Sequence, residues 1–307
     1  MGAARNALLW ISENRKLREA LPKYRFIRRA VSRFMPGELL EDALQAALRL
    51  QPSGIKTVFT LLGENVADER EARKEVEHYV DMLRQISRRG LDTYVSVKLT
   101  HLGLDLDEQL CVENLRTIIT EAAIVRNMVW IDMEQSSYVD RTIDIYKKLR
   151  TDHPNVGLCL QAYLYRTGKD LEGLIPFKPA IRFVKGAYKE PATVAFTRKS
   201  DVDENFFMLS KTLLGEVRNG ATLVVGTHDV SLIRRIQSEA ERRSVNKNEY
   251  EFHLLYGIQT DEQLRLARDG YSIRVLISYG SFWFPWYVRR LAERPANVWF
   301  VVKNLFG

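Results

Sequence analysis

Cysteine is scarce: Cys111 and Cys159 are the two in the chain, far apart and without a CxxC spacing. That excludes a disulfide framework and a thiolate zinc site, and it fits a reducing compartment. No stretch approaches the roughly 18 consecutive apolar residues that a membrane-spanning helix needs. The HExxH pair of zinc hydrolases, the GxSxG elbow of serine hydrolases and a GxGxxG turn after a strand are missing, as are carboxylate-rich loops. Metal-assisted hydrolysis, serine-based acyl transfer and a doubly wound dinucleotide fold are therefore not expected. An apolar stretch followed by a small-residue cleavage site is lacking too, so the expected location is cytoplasmic, with any membrane contact peripheral at the inner face.

Negative charge is in deficit, most of all near the start. The chain carries 46 Lys and Arg against 39 Asp and Glu, a formal +7. Between Arg5 and Arg33, residues Arg15, Lys16, Arg18, Lys23, Arg25, Arg28 and Arg29 face only Glu13 and Glu19. Such a run reads either as a solvated helix pair or as an arm for anionic lipid. No aromatic-basic motif accompanies it, so nucleic acid is not the expected partner.

What the chain does have is a rhythm. Apolar runs occur at Lys56–Leu62, Thr93–Leu99, Val129–Met133, Val156–Ala162, Ile181–Lys185, Leu223–Thr227, Phe252–Leu255 and Ile273–Ile277. Between them lie charge-rich stretches of helical composition, such as Asp68–Arg89, Leu106–Asn127 and Val230–Arg243. Repeated βα units of this size predict an α/β fold, a (β/α)8 TIM-type barrel with parallel strands. Residues 1–50 read as an N-terminal helical extension and 51–307 as the barrel, all one domain. In Glu38–Leu50, Leu39, Leu40, Ala43, Leu44, Ala47 and Leu48 are expected to share a face.

A barrel of this kind places its chemistry at the C-terminal ends of its strands. Those ends are unusually charged: Lys98 in VSVKLT, Asp132 and Glu134 in WIDME, Gln161 in LQAY, Arg182, Lys185, Gly186 and Tyr188 in RFVKGAY, and Thr227 and His228 in GTHD. Strand alternation puts Asp132 on a face with Trp130, and Lys98 with Tyr94 and Ser96. Singly, Lys98 and Asp132 read as well as rim salt bridges, and His228 as well as a structural histidine. Taken with Arg182 they require pairing or a ligand, because buried charge must be compensated. Gly186 permits close approach of backbone to a ligand. Beyond the last run, in WFPWYVRRLAERPAN, Arg289 and Arg290 sit on a predicted helix with Glu293 in reach of both. Two guanidiniums on an aromatic-rich helix suit one small carboxylate or phosphate.

These segments, in this order, resemble the proline dehydrogenase family, specifically its short bacterial monofunctional form. The motifs are VSVKLT, WIDME, LQAYLYRT, IRFVKGAY, GTHD, LLYGI and YGSFWFPWYVRRLAERPAN, spanning most of the chain after about residue 55. The resemblance implies a distorted flavin-binding barrel that oxidises L-proline to Δ1-pyrroline-5-carboxylate. It implies FAD held non-covalently, a membrane quinone as electron acceptor, and a separate pyrroline-5-carboxylate dehydrogenase downstream. Carried over by position, Arg289 and Arg290 clamp the carboxylate with Glu293 orienting them, Lys98 is a third cation there, and Asp132 its partner. Arg182 matches the arginine near flavin N5. Met133, Gln161, Lys185, Gly186, Ala187, Thr227 and His228 match flavin contacts, and Tyr279 and Leu255 match the proline-ring pocket. Where the family often reads VPYG, this chain has Ile277-Ser278-Tyr279-Gly280. Three other readings stay open at this point: a flavin-barrel reductase of another substrate, a Schiff-base lyase using Lys98 or Lys185, and a non-enzymatic membrane-surface protein led by its basic N-terminal arm.

Overall fold

The computed structural model describes residues 31–63, 65–284 and 287. Arg289, Arg290 and Glu293 lie outside the described residues, as does the basic stretch up to residue 30.

A first helix, α1 (Leu40–Leu50), turns Ala43, Leu44, Ala46 and Ala47 inward and packs against the barrel wall; Leu39, expected on that face, is instead the extended N-cap residue and is exposed. The chain then alternates strand and helix: β1 (Lys56–Leu61), α2 (Glu69–Arg88), β2 (Thr93–Val97), α3 (Glu108–Ile124), β3 (Val129–Ile131), α4 (Val139–Arg150) and β4 (Val156–Gln161). It continues through the short α5 (Thr167–Glu172), β5 (Ala180–Val184), α6 (Lys199–Glu216), β6 (Thr222–Gly226), α7 (Val230–Arg242), β7 (Tyr250–Leu255), α8 (Thr260–Arg268) and β8 (Ser272–Tyr279). Each strand pairs in parallel with the next, and β8 closes on β1 through Lys56↔Arg274 to Leu61↔Tyr279. The eight expected strands are all present. Three helices begin on an aspartate whose side chain accepts from an N–H of the first turn: Asp68 from Glu71, Asp107 from Leu110 and Asp229 from Leu232.

Alternation along the strands separates two cores. Outward positions such as Phe59, Val95, Ile131, Leu158, Phe183, Val225, Phe252 and Val275 join the apolar faces of the helices in one continuous layer. The barrel interior is different. Its N-terminal end is closed by Arg274, whose guanidinium lies 3.3 Å from the Tyr94 ring centroid and bonds Asp92 Oδ1 at 2.7 Å and Glu251 Oε2 at 3.2 Å. Glu251 meets His253 at 3.1 Å, and Lys56 meets Asp92 at 2.9 Å. Charges buried here are paired, which is the condition for their being tolerated at all. Above this base Trp130, Ala180 and Val224 fill the waist.

Candidate active site

At the C-terminal ends of the strands several of the sequence-predicted residues come together. Asp132 follows directly on β3, its N–H bonding Val97 O at 2.8 Å, so the end of β2 fixes its backbone. Its Oδ1 accepts from Ser96 Oγ at 2.8 Å and from Arg182 Nη2 in a close ion pair. Arg182 Nη2 also donates to Ser96 Oγ at 2.9 Å. The Arg182 side chain is only 3% exposed, and its Nη1 is buried without a partner. A guanidinium satisfied at one end and open at the other is poised for an acceptor that the protein does not itself supply. Lys98, half-buried at the end of β2, lies on the same inward face as Ser96 and forms no ion pair among the described residues.

Next along the rim, Gln161 at the end of β4 donates through Nε2 to Met133 O at 3.3 Å and Glu134 O at 3.1 Å, leaving its Oε1 buried and unpartnered. Met133 is buried, and Glu134 holds Thr100 through both carboxylate oxygens. After β5 comes Lys185, bonded to Asp203 and, at 2.8 Å, to Asp229. Gly186 has φ +112°, and a Cβ there would lie 2.2 Å from the Tyr163 ring, so only glycine lets the chain turn past Tyr163 into half-buried Ala187. Thr227 Oγ1 accepts from the Asp229 N–H at 3.2 Å, forming the turn into α7. Burial raises the Asp229 carboxyl, but bonds from Lys185 and Lys199 outweigh it and hold its pKa well below the ordinary range. His228 Nε2 accepts from the Leu255 N–H at 2.8 Å, which places the proton of the neutral ring on Nδ1 and ties β6 to β7.

Tyr279 stands apart from this group. It lies on the outward face of β8 with Val275 and Ile277, and its hydroxyl meets His78 Nε2 of α2 at 2.7 Å. Burial pushes its pKa well above that of a free phenol. The inward positions of β8 are Leu276, in register with Leu255 of β7, and Ser278, whose buried Oγ has no partner. Ser96 belongs to the site although no motif singles it out. The face it shares with Lys98 is the one signal of its place between Asp132 and Arg182. Nothing comparable in the sequence marks Asp203, which reaches Lys185 from α6.

Among the described residues no group of three or more His, Cys, Asp or Glu side chains could hold a metal ion. None of their helices is long and apolar enough to cross a membrane.

A closed parallel barrel with its charged and unpartnered polar groups gathered at the strand C-termini defines a TIM-barrel enzyme. The proline dehydrogenase family model matches residues 43–303. Proline dehydrogenase 1 of Bacillus subtilis subsp. natto is 37% identical over 301 residues, covering 98% of both chains. Proline dehydrogenase of Deinococcus radiodurans is 35% identical over 306 residues, 98% of this chain and 97% of that one. In structure the chain resembles proline utilization A from Bdellovibrio bacteriovorus with a TM-score of 0.80 at 22% identity, covering 94% of this chain and 38% of that much longer one. The chain belongs to the proline dehydrogenase family, and it is an oxidoreductase of that type.

Proposed function

We propose that the protein oxidises L-proline to Δ1-pyrroline-5-carboxylate, using non-covalently bound FAD and passing the electrons to a membrane quinone. The observation that carries this reading is the pair of buried, unpartnered polar atoms at the barrel mouth, Arg182 Nη1 as donor and Gln161 Oε1 as acceptor. The polar edge of a flavin ring offers both acceptors and a donor, so the two atoms fit it. Gly186, with no Cβ at a close backbone turn, and Lys185, Ala187, Thr227 and His228 complete the rim that would hold the cofactor, with Met133 behind Gln161. FAD supplies the hydride acceptor; everything else falls to the side chains.

Their work is binding and electrostatics. Arg289, Arg290 and Lys98 bind the proline carboxylate, with Glu293 orienting the arginines and Leu255 assigned to the ring pocket; Tyr279, on the outward face of β8 against His78, is left out of it. Three cations around the substrate also disfavour its ammonium form, and the amine must be neutral before hydride can leave the adjacent carbon. Asp132 acts through Arg182, which it fixes. Lys185 is engaged by two carboxylates, and that counts against the Schiff-base alternative. Residues 1–307 act as one domain, and the basic stretch through Arg33 gives the enzyme a reversible hold on anionic lipid, where the quinone resides. A separate pyrroline-5-carboxylate dehydrogenase consumes the product.

The test is a visible spectrum of the purified protein, followed by anaerobic addition of L-proline. The expected result is a flavin spectrum that bleaches with proline, and yellow colour released on acid precipitation. A colourless protein, or a flavin that proline leaves oxidised, overturns the reading; colour retained in the precipitate overturns non-covalent binding.

A further inference from the structure

Asp132 and Ser96 both bond Arg182 at Nη2, while Nη1 has no partner among the described residues, so the tilt of the guanidinium plane depends on what it packs against. What lies beneath it is Trp130, wholly buried, with the guanidinium carbon 5.3 Å from its ring centroid. We propose that Trp130 is a positioning residue for the oxidation: its indole face fixes the plane of Arg182 and so aims the unpartnered Nη1 into the site. This rests on the reading of Arg182 as a site residue given above.

Three observations beyond that contact support it. First, the barrel makes room for the indole at the expense of its neighbours. Trp130 is in register with Gly157 of β4, and a Cβ on Gly157 would lie 2.6 Å from two ring carbons. Gly157 does not have a left-handed backbone, so its glycine serves space alone; Ala180 and Val224 are the other small neighbours. Second, the indole N–H is buried with no partner. An unmet donor in a dry interior is unfavourable, and phenylalanine would fill much of the volume without it. The broader and more electron-rich indole face is the return, since it is the best aromatic partner for a desolvated cation. Third, the ring is itself held: the His253 ring stands nearly edge-on to it, with centroids 5.7 Å apart. A fixed base below makes a fixed cation above.

The test compares Trp130→Phe, Trp130→Met, Gly157→Ala, the double variant Gly157→Ala/Trp130→Met, and Arg182→Met, all as holoenzymes. The readings are kcat, KM for proline, the reduction potential of the bound flavin and thermal stability. Trp130→Phe should stay within about threefold of the parent, because a π face remains. Trp130→Met should lower kcat about 10–30-fold with KM little changed, and move the flavin potential negative, since a loosened cation stabilises the reduced flavin less. Gly157→Ala should reproduce that pattern by displacing the indole, and the double variant should be no worse than Trp130→Met alone. This also gives a second route should one substitution prevent folding. If Trp130→Met and Gly157→Ala lower stability yet keep the parent's kcat and potential, Trp130 is packing only and the proposal fails. If Arg182→Met itself leaves kcat and potential at parental values, the fault lies in the assignment of Arg182, and the proposal falls with it.

Discussion

Arg182 and Asp132 illustrate how a single residue can be a stability element and a site element at once. Asp132 compensates a guanidinium that is 3% exposed. Asp132→Ala should therefore destabilise the fold by about 3–5 kcal/mol, the cost of an uncompensated buried charge. Replacing both as Asp132→Leu/Arg182→Met should recover most of that stability and leave turnover abolished. Denaturant midpoints and proline kinetics on the same preparations separate the two effects; a double variant as unstable as Asp132→Ala would mean the loss is steric. For the substrate clamp, Arg289→Met or Arg290→Met should raise KM about 10–150-fold, matching a charge-assisted contact of about 1.5–3 kcal/mol, with FAD retained. Unchanged proline kinetics in both variants would refute the clamp. Strand alternation makes Ser96 and Lys98 legible as one face of β2, and Trp130 and Asp132 as one face at β3, from the order of residues alone. Tyr279 is less legible. Its motif assigns it to the proline-ring pocket, whereas counting along β8 from Arg274 and Leu276 puts it on the opposite, outward face.

At the scale of elements, all eight strands were legible because each is a short apolar run buried on both faces between helix and interior. Their ends were less so: β3 stops at Ile131, two residues short of the apolar run, since Asp132 and Met133 already turn into the site. The short α5 carries too few apolar residues to show a helical period. The turn from β6 into α7 carries three loads on one side chain. Asp229 caps α7 through the Leu232 N–H at 3.3 Å, bonds Lys185 at 2.8 Å and bonds Lys199 at 3.0 Å. Asp229→Asn keeps a capping oxygen and loses the charge, whereas Asp229→Ala loses both. The cap is worth about 1 kcal/mol, so the alanine variant should be less stable than the asparagine by about that amount. Both should weaken FAD retention by leaving Lys185 held by Asp203 alone, which a fluorescence titration of released flavin reads. Equal stability of the two would show the cap contributes nothing; parental flavin retention in both would show Lys185 needs no such anchor.

For the whole molecule, a buried histidine inside the barrel and a half-buried carboxyl on α2 oppose each other in the dependence of stability on pH. Burial lowers the pKa of His253 to about 4, in spite of its bond to Glu251. Folded protein then binds fewer protons than unfolded between about pH 4 and 6.5, so His253 adds stability above that window and loses it as pH falls. Glu75 of α2 has the opposite sign. Burial, with help from Glu71, raises its pKa to about 7, and one carboxylate oxygen is buried without a partner. The folded state binds more protons than the unfolded between about pH 4.5 and 7, so stability contributed by Glu75 is lost as pH rises through that range. In the parent the two partly cancel, and stability should change little between about pH 5 and 7 on their account. The variants unmask them. Glu75→Gln should gain stability at pH 7 relative to pH 5, and His253→Asn should lose it, each by about 1–2 kcal/mol. Urea unfolding of the three proteins at both pH values gives the differences directly. If Glu75→Gln and His253→Asn shift the pH 7 minus pH 5 difference in the same direction, at least one of the two groups does not titrate as its surroundings dictate.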